Sequence, residues 1–259
     1  MAILSGHILF TGSVGNLSAY RMKGSEKIIL RTKGGASREK IRSAPEFARV
    51  REHNAEFGAC GKAAGHIRRR LQPVGNLADY NFTPALCALA RMIQRQDEAG
   101  KRGQRNIALA DHVHLLPGFN LNKAHPFDSV VRQQIPAALH PEHRRAVISL
   151  PRLVHGFNLF IPWQQPLYRI IVHLTMISDV VYREQGYTFL QPQADLRRTT
   201  EYTGWQPVTQ PFEAREIVLQ LPESPIPADS RIALLVAVGI QMGTPVSDAA
   251  VAPVRYAGC

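Results

Sequence analysis

The sequence predicts an α+β protein, an N-terminal β-meander and helical hairpin followed by an antiparallel β-sandwich-like domain. Three observations predict it. Short β-branched runs with turn residues open the chain, and two amphipathic stretches at helical spacing follow. Beyond residue 105, apolar strand-like runs recur between Pro- and Gly-rich breaks. The alternation of strands and helices that marks a doubly wound nucleotide-binding fold is absent from the pattern.

The meander begins with the apolar "GHILF", continues through the alternating "NLSAYRM" and closes with "EKIILRT", a β-branched run flanked by charge. Between the last two lies "KGSE", a turn sequence in which Gly24 can supply positive φ. After "TKGG" the character changes. "SREKIRSAPEFARVREHNAEFGACGKAAGHIRRRL" predicts a helix with Ser43 as N-cap and Pro45 in the first turn. Its stripe comprises Phe47, Val50, Phe57, Ala64, Ile67 and Leu71, with Gly58, Gly61 and Gly65 close by to admit a neighbouring element. "QPVGN" breaks this helix. "NFTPALCALARMIQRQDEAG" predicts the second, with Thr83 as N-cap, Pro84 behind it, Leu86, Leu89 and Ile93 as its stripe, and Gly100 as the stop.

The basic connector "GKRGQRN" marks the expected boundary, giving domains 1–105 and 106–259. In the second, strand-like runs lie in "RRAVISLPRLVHGFNLFIP", "LYRIIVHLTMI", "FEAREIVLQLP" and "RIALLVAVGIQM". In "YRIIVHLTMI", Ile170, Val172, Leu174 and Met176 form a uniformly apolar face, and Arg169, Ile171, His173 and Thr175 a mixed one.

Charge is distributed unevenly. The chain has a net charge of +11, and residues 1–105 account for all of it, with 19 Lys or Arg against 8 Asp or Glu. The remaining residues carry 12 of each sign. This asymmetry points to an acidic partner or polyanion for the N-terminal part, or to solubility alone. The polyanion-binding candidates are Arg38, Lys40, Arg42, Arg68, Arg69, Arg70, Lys101 and Arg102.

Motifs for chemistry are sparse. In "MKGS" a lysine precedes the glycine where a phosphate loop needs it after, and a strand-forming sequence follows where a helix is required. His112 and His114 in "DHVHLL" would share one side of a strand, with Asp111 or His125 near, and His140 and His143 in "HPEH" form a second pair. Neither fixes a third ligand. Cys60, Cys87 and Cys259 form no CxxC pair, and no Gly-x-Ser-x-Gly elbow occurs. No cofactor is expected. The N-terminus "MAILSGHILF" lacks the basic region of a secretory signal and Ile232 to Ile240 is too short to span a bilayer, so the expectation is a cytoplasmic protein with no membrane contact.

The pattern "GSVGNLSAYRMKGSEKIILRTKGG", followed by a basic helix start at Ser43 and Pro45, resembles a group of uncharacterised Bacteroidetes proteins. These carry a Gly-x-x-Gly-Asn hairpin, a short helical part and a β-rich C-terminal portion. The resemblance covers Gly12 to about Leu71 and implies a non-enzymatic, structural or phage-like role. The leading expectation is therefore a non-catalytic structural or interaction protein, a subunit of a larger assembly, with a protein partner or its own copies. The second is a nucleic-acid-binding protein using the basic N-terminal region, and the third a metal-dependent hydrolase using His112 and His114.

Overall fold

The computed structural model describes residues 2–4, 6, 9–22, 25–192, 197–222 and 231–259, and the chain is α+β with antiparallel sheets. It divides into two compact units, Met1–Arg51 and Glu52–Cys259. The sequence put a change of character after "TKGG" and the expected domain boundary at the "GKRGQRN" connector.

The first unit holds a four-stranded antiparallel sheet. Strands β1 (Ala2–Leu4), β2 (Gly12–Val14), β3 (Leu17–Arg21) and β4 (Ile28–Thr32) are ordered β1-β4-β3-β2. β2 and β3 form a hairpin across Gly15-Asn16, and Gly15 adopts the positive φ of 56° that such a two-residue turn demands. Lys33 secures it, its backbone N–H donating to Asn16 and its ammonium to the Gly15 carbonyl. His7 and Ile8 of "GHILF", and Gly24 of the expected turn, lie outside the described residues.

Helix α1 (Arg38–Ser43) follows the sheet, capped by Ser37, whose hydroxyl accepts from the Lys40 N–H. Ser43, expected to cap a helix, ends one instead, and its hydroxyl donates back to the Glu39 carbonyl. Pro45 excludes the α conformation from the preceding residue, so Ala44 is extended and the long helix starts afresh beyond it. Arg51 spans this break, its guanidinium donating to the carbonyls of Ile41 and Ala44 at 2.8 Å.

Helix α2 (Ala48–Arg70) and helix α3 (Thr83–Gln94) make the expected hairpin. Thr83 is the first residue of α3 rather than its cap, and Asn81 accepts the Thr83 N–H. The buried face of α2 is built from Ala59, Cys60, Ala63, Ala64 and Ile67. Val50 and Phe57, placed on the predicted stripe, are exposed, and Gly58 and Gly61 face open space, so alanines rather than glycines allow the close approach. α3 ends at Gln94. Gly100 is no helix stop but part of the loop that Asp97 folds.

Among the described residues, the rest of the second unit contains a one-turn helix α4 (Phe127–Val130) and ten strands. They are β5 (Ala137–His140), β6 (Arg145–Leu150), β7 (Leu167–Ser178), β8 (Val180–Arg183), β9 (Gly186–Phe189), β10 (Arg198–Tyr202), β11 (Gln206–Pro207), β12 (Arg215–Gln220), β13 (Ile232–Ser247) and β14 (Ala250–Gly258). The main sheet runs β10-β7-β13-β14 with β11 also on β7; β12-β6-β5 forms a smaller sheet and β8-β9 a hairpin.

β7 organises this unit because both of its faces are covered. Ile170, Val172, Leu174 and Met176 point into a core shared with Ile148 of β6 and Ile217 of β12, as the uniformly apolar face predicted. Ile171 and Ile177 join a second core with Ile67 of α2 and Leu86 of α3. The result is three layers, helical hairpin, main sheet and small sheet, with β7 in the middle. Among the described residues no helix is long and apolar enough to cross a membrane.

Candidate functional site

Within the second unit, the basic residues singled out in the sequence do not converge on one face. Arg38, Lys40 and Arg42 sit on α1, where Lys40 pairs with Glu46 at 3.5 Å. Arg68, Arg69 and Arg70 end α2, and successive residues on a helix fan apart by about 100°. Arg70 is buried, while Arg68 and Arg69 are exposed. Lys101 and Arg102 lie beside the opposite end of α2, with Arg102 3.7 Å from Glu52. That end is about 24 Å from Arg68, at about 1.5 Å of rise per residue.

The "GKRGQRN" connector is itself a folded loop. Asp97 accepts the N–H groups of Ala99, Gly100 and Asn106, and Glu56 of α2 accepts that of Gly103. Arg105 stands 3.8 Å from the same Glu56. These cations answer carboxylates of α2.

The histidine pairs are placed differently from expectation. His112 precedes a 3-10 turn, Val113–Leu115, so His112 and His114 do not share the side of a strand. Their rings lie 6.0 Å apart, and His112 Nδ1 is 2.9 Å from the Ala108 carbonyl oxygen. Asp111 faces Arg231 at 3.5 Å, and His125 packs edge-on against Trp163. His140 and His143 flank Glu142 at 3.5 and 3.9 Å on exposed side chains. Among the described residues no group of three or more His, Cys, Asp or Glu side chains could hold a metal. Cys60 is buried on α2 and donates to Gln94 of α3, and burial pushes its thiol up to about 11, away from the thiolate a nucleophile needs.

The N-terminal sheet leaves large apolar side chains exposed. Register places Ile3, Ile29 and Tyr20 side by side across β1, β4 and β3 on one face. The opposite face carries Ile28, Leu30, Ala19 and Leu17, so each face has an apolar row, with Ser18 and Arg31 beside the first and Arg21 and Thr32 beside the second. Yet Ala19 and Ile28 are the only buried residues among those described in this unit. Ile3, Val14 and Met22 keep 58%, 61% and 51% of their surface exposed. Among the described strands, β1 and β2 each pair on one side only, leaving both sheet edges open.

Positive charge predominates in this unit. Residues 1–51 contain ten Lys or Arg against three Asp or Glu. Two of the three acids are already matched, Glu26 by Arg21 at 3.3 Å and Glu46 by Lys40. The Arg31 guanidinium lies 5.4 Å from the centre of the Tyr20 ring. Sequence reading located the charge but missed the exposed apolar row. The signal was the run Ile28-Ile29-Leu30: consecutive apolar residues in a strand place greasy side chains on both faces.

Comparison with protein-family models, with curated proteins and with solved structures finds no match.

Proposed function

We propose that this is a cytoplasmic, non-catalytic interaction protein, a subunit of a larger assembly, that docks through its N-terminal sheet onto an acidic protein surface. The observation that supports this reading is the small sheet with an apolar row on each face and, among the described residues, two unpaired edges and two buried side chains. A four-stranded sheet of this size gains little stability without cover for its apolar side chains. A partner supplies that cover, with backbone pairing at β1 or β2 and apolar contact at Ile3, Tyr20 and Met22. The excess of basic residues fixes the sign of the partner. Two copies meeting through these sheets would repel, so the occupant is a different, acidic surface. The structural, phage-like role implied by the resemblance at Gly12 to Leu71 agrees with such a subunit.

A photoreactive residue in place of Tyr20, activated in the native host, tests the reading. One acidic protein should be captured, and Ile3→Glu with Met22→Glu should abolish the adduct while leaving the melting temperature of the second unit in place. Failure to capture any protein, or capture only of further copies of this chain, contradicts the proposal.

A further inference from the structure

The second unit contains a groove that the docking surface does not involve. It is open, about 500 Å³ in volume, and lies between the end of α2, the start of α3 and β14. Arg68, Asp79, Tyr80, Phe82, Arg255 and Tyr256 line it.

Its most unusual wall is made by β14. Along the β13–β14 ladder Gly243 faces Pro253 and Gln241 faces Gly258, so Met242 alone stands opposite Val254 to Ala257. Such a bulge re-aims side chains, and this one presents Arg255 and Tyr256 to the groove. Tyr256 has φ of 62°, in the left-handed region that a bulky side chain seldom occupies. The residue is nevertheless 68% exposed. Burial of the ring therefore does not offset the backbone strain, which is the situation expected where a side chain is held for a ligand.

The electrostatics of the groove also ask for a ligand. Arg68 donates to Asn81 Oδ1 and Thr83 Oγ1, and its guanidinium lies 4.9 Å from the Phe82 ring centre. This puts a cation at the N-terminus of α3, where the helix dipole favours an anion. The Lys123 ammonium lies 4.2 Å from the Tyr80 ring centre. Asp79 is occupied, accepting the N–H groups of Lys123 and Ala124. Arg255 makes no hydrogen bond or ion pair among the described residues. Cations alternating with aromatic rings in an open groove suit a ligand that carries both phosphates and flat faces.

We propose that this groove binds a nucleotide unit of a single-stranded nucleic acid, with Tyr256 stacking on a base and Arg68 and Arg255 holding the flanking phosphates. A duplex keeps its bases stacked on one another and offers no base face to Tyr256. Inorganic phosphate leaves the rings without a role. The site is distinct from the cation clusters read from the sequence and shares only Arg68 with them.

Fluorescence anisotropy of the full chain with a labelled oligothymidylate of about twelve nucleotides tests this, with thymidine monophosphate and inorganic phosphate as competitors. Saturable, salt-sensitive binding is expected. Tyr256→Gly should weaken it by roughly fivefold or more, since stacking of one base is worth ~1–3 kcal/mol. The same variant should melt no lower than the parent, because glycine tolerates the backbone conformation. Arg255→Ala should weaken binding and lower the salt slope by about one. The Ile3→Glu, Met22→Glu chain should bind the strand unchanged, which separates this site from the docking surface. Absence of saturable binding overturns the proposal, as do undiminished binding in both groove variants and a clear loss of stability in Tyr256→Gly. Equal affinity for the monophosphate overturns the strand as occupant in favour of a free nucleotide.

Discussion

His173 lies in the middle of β7, fully buried, with Thr200 Oγ1 and the Arg70 carbonyl oxygen each 2.8 Å from its ring nitrogens. A carbonyl can only accept, so Nε2 carries the proton and Nδ1 accepts from the threonine hydroxyl. Burial lowers the pKa below the ordinary 6.5, and the nearby charges of Arg198 and Arg70 push in the same direction. The folded protein thus keeps this ring neutral while the unfolded chain protonates it. The stability it contributes is full above pH 6.5 and declines as pH falls below that value. Urea denaturation between pH 7 and about pH 5 should therefore show a shallower pH slope in His173→Gln than in the parent. Equal slopes would contradict this assignment. From sequence alone His173 was a polar residue on a mixed strand face, and nothing there distinguished it from a solvated one.

The loop after α3 shows how one side chain can organise an element. Burial raises the pKa of the Asp97 carboxyl, but the N–H groups of Asn106, Gly100 and Ala99, with Arg105, outweigh it and hold the carboxyl below 3.8. Asp97→Ala removes three acceptor contacts and should cost about 1.5–3 kcal/mol, measured by chemical denaturation; a loss under half of one kcal/mol would mean the loop holds its shape by other contacts. The sequence suggested a domain boundary here because Gly, Lys and Arg commonly compose linkers, and composition says nothing of which carboxylate collects the N–H groups. β14 depends on a similarly local device. A Cβ on Gly258 would run into the Ile240 carbonyl oxygen and lie 2.6 Å from Leu77 Cδ2. Gly258→Ala should therefore destabilise the protein by about 1–3 kcal/mol, and a melting temperature equal to that of the parent would refute this. Helix starts were legible to within a few residues. Ser43 and Thr83 lay close to real boundaries, and the true cap of α1, Ser37, was one of several polar residues in that stretch.

At the scale of the molecule, periodicity and composition determined the class, the helical hairpin, the main strands and the location of the charge. These follow from local chemistry, since side-chain direction repeats every two residues in a strand and about every 3.6 in a helix. The apolar face of "YRIIVHLTMI" therefore named four residues of a real core before any tertiary information was used. Tertiary structure alone decided what covers the mixed face. His173 and Thr175 look solvated in sequence, but the hairpin of α2 and α3 packs over Ile171 and Ile177 on that side and turns the strand into the centre of three layers. It also dispersed the cations, because three adjacent arginines point in three directions once they are helical. It assembled the groove as well, joining Arg68 to Arg255 and Tyr256 from far along the chain. No window of sequence contains that site: contacts between distant segments are chosen by packing, which a local pattern does not record.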